Sequence, residues 1–329
     1  MTEQGTKKIS DNEFKAVVLP KSPAVANRYD FVFLFDCKNG NPNGDPDSDN
    51  SPRINPYTEK GIITDVCLKR KVRDYIEMTS QGKIFIQNGV WLNRLIKEAR
   101  NEAGIPDGNT DTDTEKVKMT QAMLLAKYWD IRCFGGVLMT GPNAGQVRGP
   151  VTFSISDSID MIYPMSLTIT RVADTDDGVQ HNKLQDYIDA EKKAADSGKR
   201  SMGRKRMVDY GLYRMHGSVS AYLCERTNFT EEDLMLLWEA MENMFEHAKT
   251  ASSGLMAVRK LVLFKHVGTA NNDVERANQA KKGVAHSNKL CESVIVKRND
   301  GVEHPASFED YTITVPTIVP AGVEMIVRV

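Results

Sequence analysis

No two cysteines in this chain are spaced as a metal-ligand or redox motif. The five cysteines, Cys37, Cys67, Cys133, Cys224 and Cys291, are scattered and form no CxxC pair. That spacing excludes a disulfide framework and suits reduced thiols in a cytosolic protein. The six histidines are equally dispersed, so no zinc-ligand cluster is visible. No apolar run approaches the roughly 20 residues that cross a bilayer. The opening MTEQGTKKISDNEFK is too charged for a signal peptide, and no apolar stretch precedes Ala24-Val25-Ala26. The expectation is a soluble, cytoplasmic protein. A charge excess is missing too: 43 Lys and Arg face 44 Asp and Glu, so only the distribution of charge points to a partner. GxxxxGK[ST] and GxGxxG are absent, which removes the P-loop and Rossmann readings. Nothing assembles a serine or cysteine triad, no cofactor is called for, and no internal repeat is seen.

What is present is a globular chain of 329 residues, long enough for a full core. Residues 1–27 read as a polar tail. Residues 29–37 (YDFVFLFDC) form a strand apolar on both faces, hence central and covered. Residues 38–61 are dense in Asn, Gly, Pro and Asp and read as a long loop. Thr64 caps a helix from 65 to about 78, with Leu68, Val72, Tyr75 and Ile76 on its buried side. Helical patterns follow at 91–103 and 115–130. The stretch 132–150 (RCFGGVLMTGPNAGQVRGP) is too rich in glycine to be regular throughout, and strands follow at 151–155 and 165–171. Residues 198–206 (GKRSMGRKR) read as a basic flexible arm, and 210–223 as a strand. The cleanest helix follows, capped by Thr230, with Glu231, Glu232 and Asp233 in its first turn and Leu234, Leu237, Trp238, Met241 and Phe245 as its stripe. Short strands are expected at 261–264, 290–296 and 311–315. Without the insertions the order is strand, helix, strand, strand, helix, strand. The fold class is therefore α+β, in the ferredoxin-like order.

Several motifs carry candidate chemistry. Lys69, Arg70, Lys71 and Arg73 place four cations in five residues. Taken alone, a solvated helix face explains them better than a phosphate site. With Asp74 the only acid following directly, intrahelical pairing would neutralise little of that charge. The segment 199–206 holds Lys199, Arg200, Arg204, Lys205 and Arg206 around Met202. Such composition is poor core and suits a phosphate backbone, with Met202 as an apolar wedge between bases. The glycines of 134–149 would let a polynucleotide backbone approach closely, or are mere connectors. Asp45, Asp47 and Asp49 begin like a calcium loop, but Asn50 and Pro56 stand where Gly and Glu are needed. Solvated turn carboxylates are the better reading; Mg²⁺-dependent RNA cleavage is the alternative. Tyr29, Phe31, Phe33 and Phe35 share a strand face where bases could stack, but core packing accounts for them better. His216 has no acid or nucleophile nearby and reads as structural.

Several blocks in order resemble one family: NGNPNGDPD with Pro52-Arg53, TDVCLKRKVRDY, DIRCFGG with Gly149-Pro150, MGRKRMVDYGLYRMHG, TNFTEEDLMLLWEAMENMFEHAKTASSGLM and LFKHVG. Together they are similar to the backbone subunit of CRISPR Cascade complexes, the Cas-seven family, nearest its type I-C branch. The resemblance runs from about residue 28 to the C-terminus. It implies a modified ferredoxin-like (RRM-like) palm over 28–329, with inserted fingers at about 40–62 and 80–130 and a thumb at about 172–207. It also implies head-to-tail stacking of copies along a CRISPR RNA, pairing of the guide with target DNA, and other Cascade subunits capping the filament. The implied RNA contacts are Arg53, Lys69, Arg70, Arg73, Arg132, Gly135, Gly136, Arg148, Lys199, Arg200, Met202, Arg204, Lys205 and Arg206. Type III relatives cut RNA with a loop aspartate, whereas type I backbones are not nucleases. The resemblance therefore implies a non-catalytic protein with no cofactor or metal.

Overall fold

In the computed structural model of the chain, residues 22–105, 113–171, 182–194 and 201–329 are described. The expected tail, 1–27, falls mostly outside them, as do Lys199 and Arg200 of the basic segment. The strands, in chain order, are β1 (Tyr29–Gly40), the two-residue β2 (Gly44–Asp45) and β3 (Ser51–Pro52), β4 (Lys60–Ile63), β5 (Gly135–Met139), β6 (Asn143–Arg148) and β7 (Val151–Phe153). They continue with β8 (Ser156–Met161), β9 (Pro164–Arg171), β10 (Ser201–Val219), β11 (Leu255–His266), β12 (Ile295–Arg298), β13 (Tyr311–Thr314) and β14 (Val323–Val327). One antiparallel sheet runs β14-β11-β1-β10-β8-β4, with β7 and β9 pairing opposite ends of β10.

β1 lies at the centre because both of its faces need cover. Phe31, Phe33 and Phe35 enter the main core beneath the helices Asp65–Thr79 and Glu231–Asn243. Phe33 stacks on Phe35 at 5.1 Å, and Phe31 meets Trp238 edge-on at 5.2 Å. These rings are packed core, in line with the weaker standing of base stacking. Val32 and Leu34, on the other face, pack with Val262, Phe264, Leu290 and Val294. Burying a side chain of this size contributes roughly 1.5–3 kcal/mol, so β1 is the energetic spine.

Both capped helices form as expected. Thr64 Oγ1 accepts from the Cys67 N–H, and Leu68, Val72, Tyr75 and Ile76 are buried. Thr230 and Asp233 make a reciprocal capping box, each backbone N–H donating to the other's side chain at 3.2 Å. A separate core lies between residues 85 and 147, where Leu95, Ile96, Ala99, Leu124, Ile131 and Val147 pack together.

Four local expectations need correction, one being the strand expected at 290–296, which is the helix Ser287–Glu292 followed by β12. The pattern at 115–130 divides into the helices Thr114–Lys127 and Trp129–Phe134, because Tyr128 is extended at φ −114° and ψ 120°. The break turns Asp130 inward, where its carboxylate accepts from the Phe85 and Ile86 N–H groups. The glycine-rich stretch forms the hairpin β5–β6. Gly135 (φ +70°) and Gly149 permit it, since a Cβ at either would strike the other's backbone. The strand expected at 210–223 instead runs Ser201–Val219 and gives way to the helix Ala221–Thr227.

Candidate nucleic-acid interface

The basic arm expected at 198–206 is, from Ser201 onward, the outer part of β10. It pairs with β9 in unbroken register from Ser201↔Arg171 to Val208↔Pro164. Backbone pairing, not composition, makes it a strand, and Gly203 is tolerated because space beside its Cα is open. β9 is exposed along almost its whole length on both faces. The pair is thus a two-stranded ribbon at the margin of the sheet. Residues directly opposite in an antiparallel pair share a face. One face carries Met202, Arg204 and Arg206 with Thr170, Thr168 and Ser166. The other carries Ile169, Leu167 and Met165 with Arg171, Lys205 and Met207. Met202 is 74% exposed, Ile169 51% and Leu167 47%. These apolar groups sit among cations and bury nothing of the core. Leu167, Ile169 and Arg171 are site candidates that sequence reading missed; their signal is the alternation in MSLTITR, which ends on a cation.

The helix Asp65–Thr79 is less open than its sequence suggests. Lys69 pairs with Asp65 at 2.9 Å, and Arg70 with Asp74 at 2.5 Å. Arg70 also donates to the Ile86 carbonyl. Arg73 is buried, donating from Nε to Asp130 at 2.9 Å, with its guanidinium 5.1 Å from the centre of the Phe134 ring. The expectation of little neutralisation is therefore corrected: Asp65, one turn before Lys69, and the distant Asp130 supply the missing acids. Lys71 lies 5.9 Å from the centre of the Phe245 ring.

Arg132 is similarly engaged. It makes a two-pronged contact with Asp233 at 2.9 and 2.8 Å and donates to the Leu125 and Ala126 carbonyls. It thereby locks the capping residue of the helix Glu231–Asn243. Gly135 is buried at the start of the β5–β6 hairpin and Gly136 is half-buried beside it, while Arg148 is exposed at the hairpin's end.

The loop acids face arginines. Asp49 pairs with Arg206 at 2.7 Å, and Asp45 with Arg53 at 3.4 Å. Asp45 also accepts from the Asp47 N–H. These contacts tie the loop to the root of the ribbon. Among the described residues no group of three His, Cys, Asp or Glu side chains is arranged to hold a metal. Arg53 and Arg206 each retain a buried Nε with no hydrogen-bond partner among the described residues.

The remaining titratable groups are structural in character. Burial, with Asp36 adding to it, pushes the Cys37 thiol up to about 12, far from a nucleophile's range. His216 is held below its ordinary value by burial and by Arg214, whose Nε–H donates to its ring at 2.7 Å. No helix among the described residues is long and apolar enough to cross a membrane.

The described body is α+β, and its β9–β10 ribbon is exposed and carries several cations. The model of the family described as CRISPR-associated protein Cas7 matches residues 27–316. The chain belongs to that family. CRISPR-associated protein Cas7 of Haloferax volcanii is 26% identical over 249 residues, 66% of this chain and 65% of its own length. The chain thus spans a little under two thirds of that relative. Among solved structures, a chain of "CRISPR RNA-guided surveillance complex, pre-nicking" is 13% identical, with a TM-score of 0.43 over 80% of this chain and 86% of its own. A chain of "CRISPR RNA-guided surveillance complex" is 15% identical, with a TM-score of 0.42 over 81% and 80%.

Proposed function

We propose that this chain is the non-catalytic backbone subunit of a type I-C Cascade surveillance complex. It coats a CRISPR RNA with head-to-tail copies of itself and leaves the bases to pair with target DNA. The observation that carries this reading is the β9–β10 ribbon, whose exposed cations and apolar groups have no role in the core. Family membership agrees with it, and the NPNGDPD block favours the I-C branch.

The body is read as a modified ferredoxin-like palm. The strand order β11-β1-β10 followed by β7 and β8, with one helix after β1 and another after β10, supports that reading. The insertions at about 40–62 and 80–130 are read as fingers, the second supplying most of the separate core, and the ribbon as the root of the thumb at 172–207. We assign phosphate contacts to Lys69, Arg70, Arg148, Arg204, Lys205 and Arg206, and to Arg53 once it leaves Asp45. Met202 is assigned to a base, and Lys199 and Arg200 are assigned from sequence alone. Arg73 and Arg132 act through Asp130 and Asp233 as positioning residues, and Gly135 and Gly136 shape the hairpin beside them. The pairing of Asp45 and Asp49 with arginines favours a non-catalytic loop over a nuclease. Other Cascade subunits would close the two ends of such an open assembly.

The test is co-expression with a CRISPR array, followed by sequencing of the RNA that purifies with the protein. A uniform small RNA carrying repeat sequence is the expected result. Nucleic-acid-free protein, or a random mixture of cellular RNA, would overturn the reading.

A further inference from the structure

Where the ribbon meets the end of the sheet, an open cleft of about 370 Å³ is lined by Lys38, Lys205, Lys249, Thr250, Gly254 and Leu255. Only Lys205 lies in a segment whose composition is conspicuously basic. Lys38 lies two residues before the end of β1, and Lys249 lies on the loop before β11, so the fold alone brings the three amino groups to one place.

The floor of this cleft is rigid. Gly40 and Gly254 pack backbone on backbone, and a Cβ on Gly40 would strike the Ser253 carbonyl. Gly254 is left-handed at φ +64°, so the tight approach requires glycine there. The Asn41 N–H donates to the Ser252 carbonyl at 2.8 Å. Thr250 and Ser253 cap each other, with each N–H donating to the other's hydroxyl at 3.0 and 3.1 Å. A loop braced in this way holds its lining residues in place before any ligand arrives.

The cations above that floor are weakly neutralised. Lys38 donates to the Ala306 carbonyl at 3.2 Å and makes no ion pair among the described residues, with Asp310 the acid that feels its charge from farther off. Lys249 meets Glu246 at 2.7 Å, but both side chains are 54% exposed, and such pairs hold little energy in water. Lys205 makes no ion pair among the described residues, and Leu255 is 63% exposed beside them.

We infer that this cleft is a second anchoring site for single-stranded RNA, with Lys38, Lys205 and Lys249 on phosphodiester groups and Leu255 against a base or ribose. The inference rests on the proposed RNA-coating function and extends it to Lys38 and Lys249, which carry no motif. Continuity favours RNA over an acidic peptide, because Lys205 belongs to both the cleft and the ribbon. A strand held along the ribbon face of Leu167, Ile169 and Arg171, which Lys205 shares, would therefore enter the cleft without a break. Each phosphate contact to a single strand steepens the salt dependence of binding by about 0.7.

The experiment measures binding of a labelled single-stranded RNA of guide length to the full chain across a salt series. Lys38→Ala with Lys249→Ala is expected to weaken binding roughly tenfold near physiological salt and to lower the salt slope by about 1.4. Lys38→Arg with Lys249→Arg should retain binding, and so should Lys289→Ala with Lys297→Ala, which lie outside the cleft. If the cleft pair behaves like the outside pair while Met202→Ala with Arg204→Ala weakens binding, the cleft is overturned and the coating function stands. If the arginine pair fails along with the alanine pair, a charge-based site is overturned. If the unaltered chain does not bind RNA, both are overturned.

Discussion

The two halves of β10 have one backbone conformation and opposite surroundings. From Tyr210 to Val219 the strand lies between β1 and the short strands β7 and β8, with Leu212, Tyr213, Met215 and Val219 buried. From Ser201 to Arg206 its only strand partner among the described residues is β9, and Met202, Gly203 and Arg204 are exposed. Pairing alone is enough to keep a strand, whereas stability comes from what covers its faces. The outer half is therefore open to selection for contact with something outside the chain. The same division separates the cations: Arg73 and Arg132 are locked to acids within the body, while Arg204 and Lys205 stand on the ribbon.

That contrast breaks most sharply in the body. Asp130→Ala leaves Arg73 buried and uncompensated and takes the acceptor from two N–H groups. The expected loss is about 3–5 kcal/mol, read as a lower denaturant midpoint. A loss below about 1 kcal/mol would place Arg73 among the solvated cations after all.

A smaller, pH-dependent effect is expected at Asp30, which is fully buried. Burial alone would raise its carboxyl. The hydrogen bond from His266 Nε2 at 2.9 Å and the Arg28 guanidinium at 3.0 Å outweigh burial and hold it below the ordinary 3.8. His266 Nδ1 accepts from the Val284 N–H, so Nε2 is the donor. A depressed carboxyl contributes stability that is complete above its unfolded value and is lost as pH falls through the folded one. Acid unfolding should thus steepen below pH 3.8, and Asp30→Asn should flatten that limb. An unchanged limb would remove Asp30 from the account of acid stability.

The smallest expected change in stability is at the ribbon. Met202→Ala with Arg204→Ala should alter unfolding by no more than about 0.5 kcal/mol. The same pair should lower the salt slope of RNA binding by about 0.7 through the lost cation. A large loss of stability would mean that the ribbon is part of the body.

The legible parts of the fold are those whose pattern is local. β1 announces itself by apolar side chains on both faces, and the helix Glu231–Asn243 by its cap, its acidic first turn and its stripe. The outer half of β10 was hidden because Lys, Arg and Gly give it no strand signature; its register comes from β9, some thirty residues earlier. Arg73 looked solvated because its acid lies 57 residues away, and the pairing of Arg132 was not legible because Asp233 lies 101 away. The basic segment and Met202 stand out from composition alone. Lys38 and Lys249 were not, since each is an ordinary lysine until the fold brings it to the cleft.

The central claim is that copies of this chain line up on RNA, and particle mass against RNA length tests it most directly. With single-stranded RNAs of increasing length, the number of protein copies per RNA should rise in proportion to length. One copy per RNA at every length would contradict the account and leave a solitary RNA-binding module in its place.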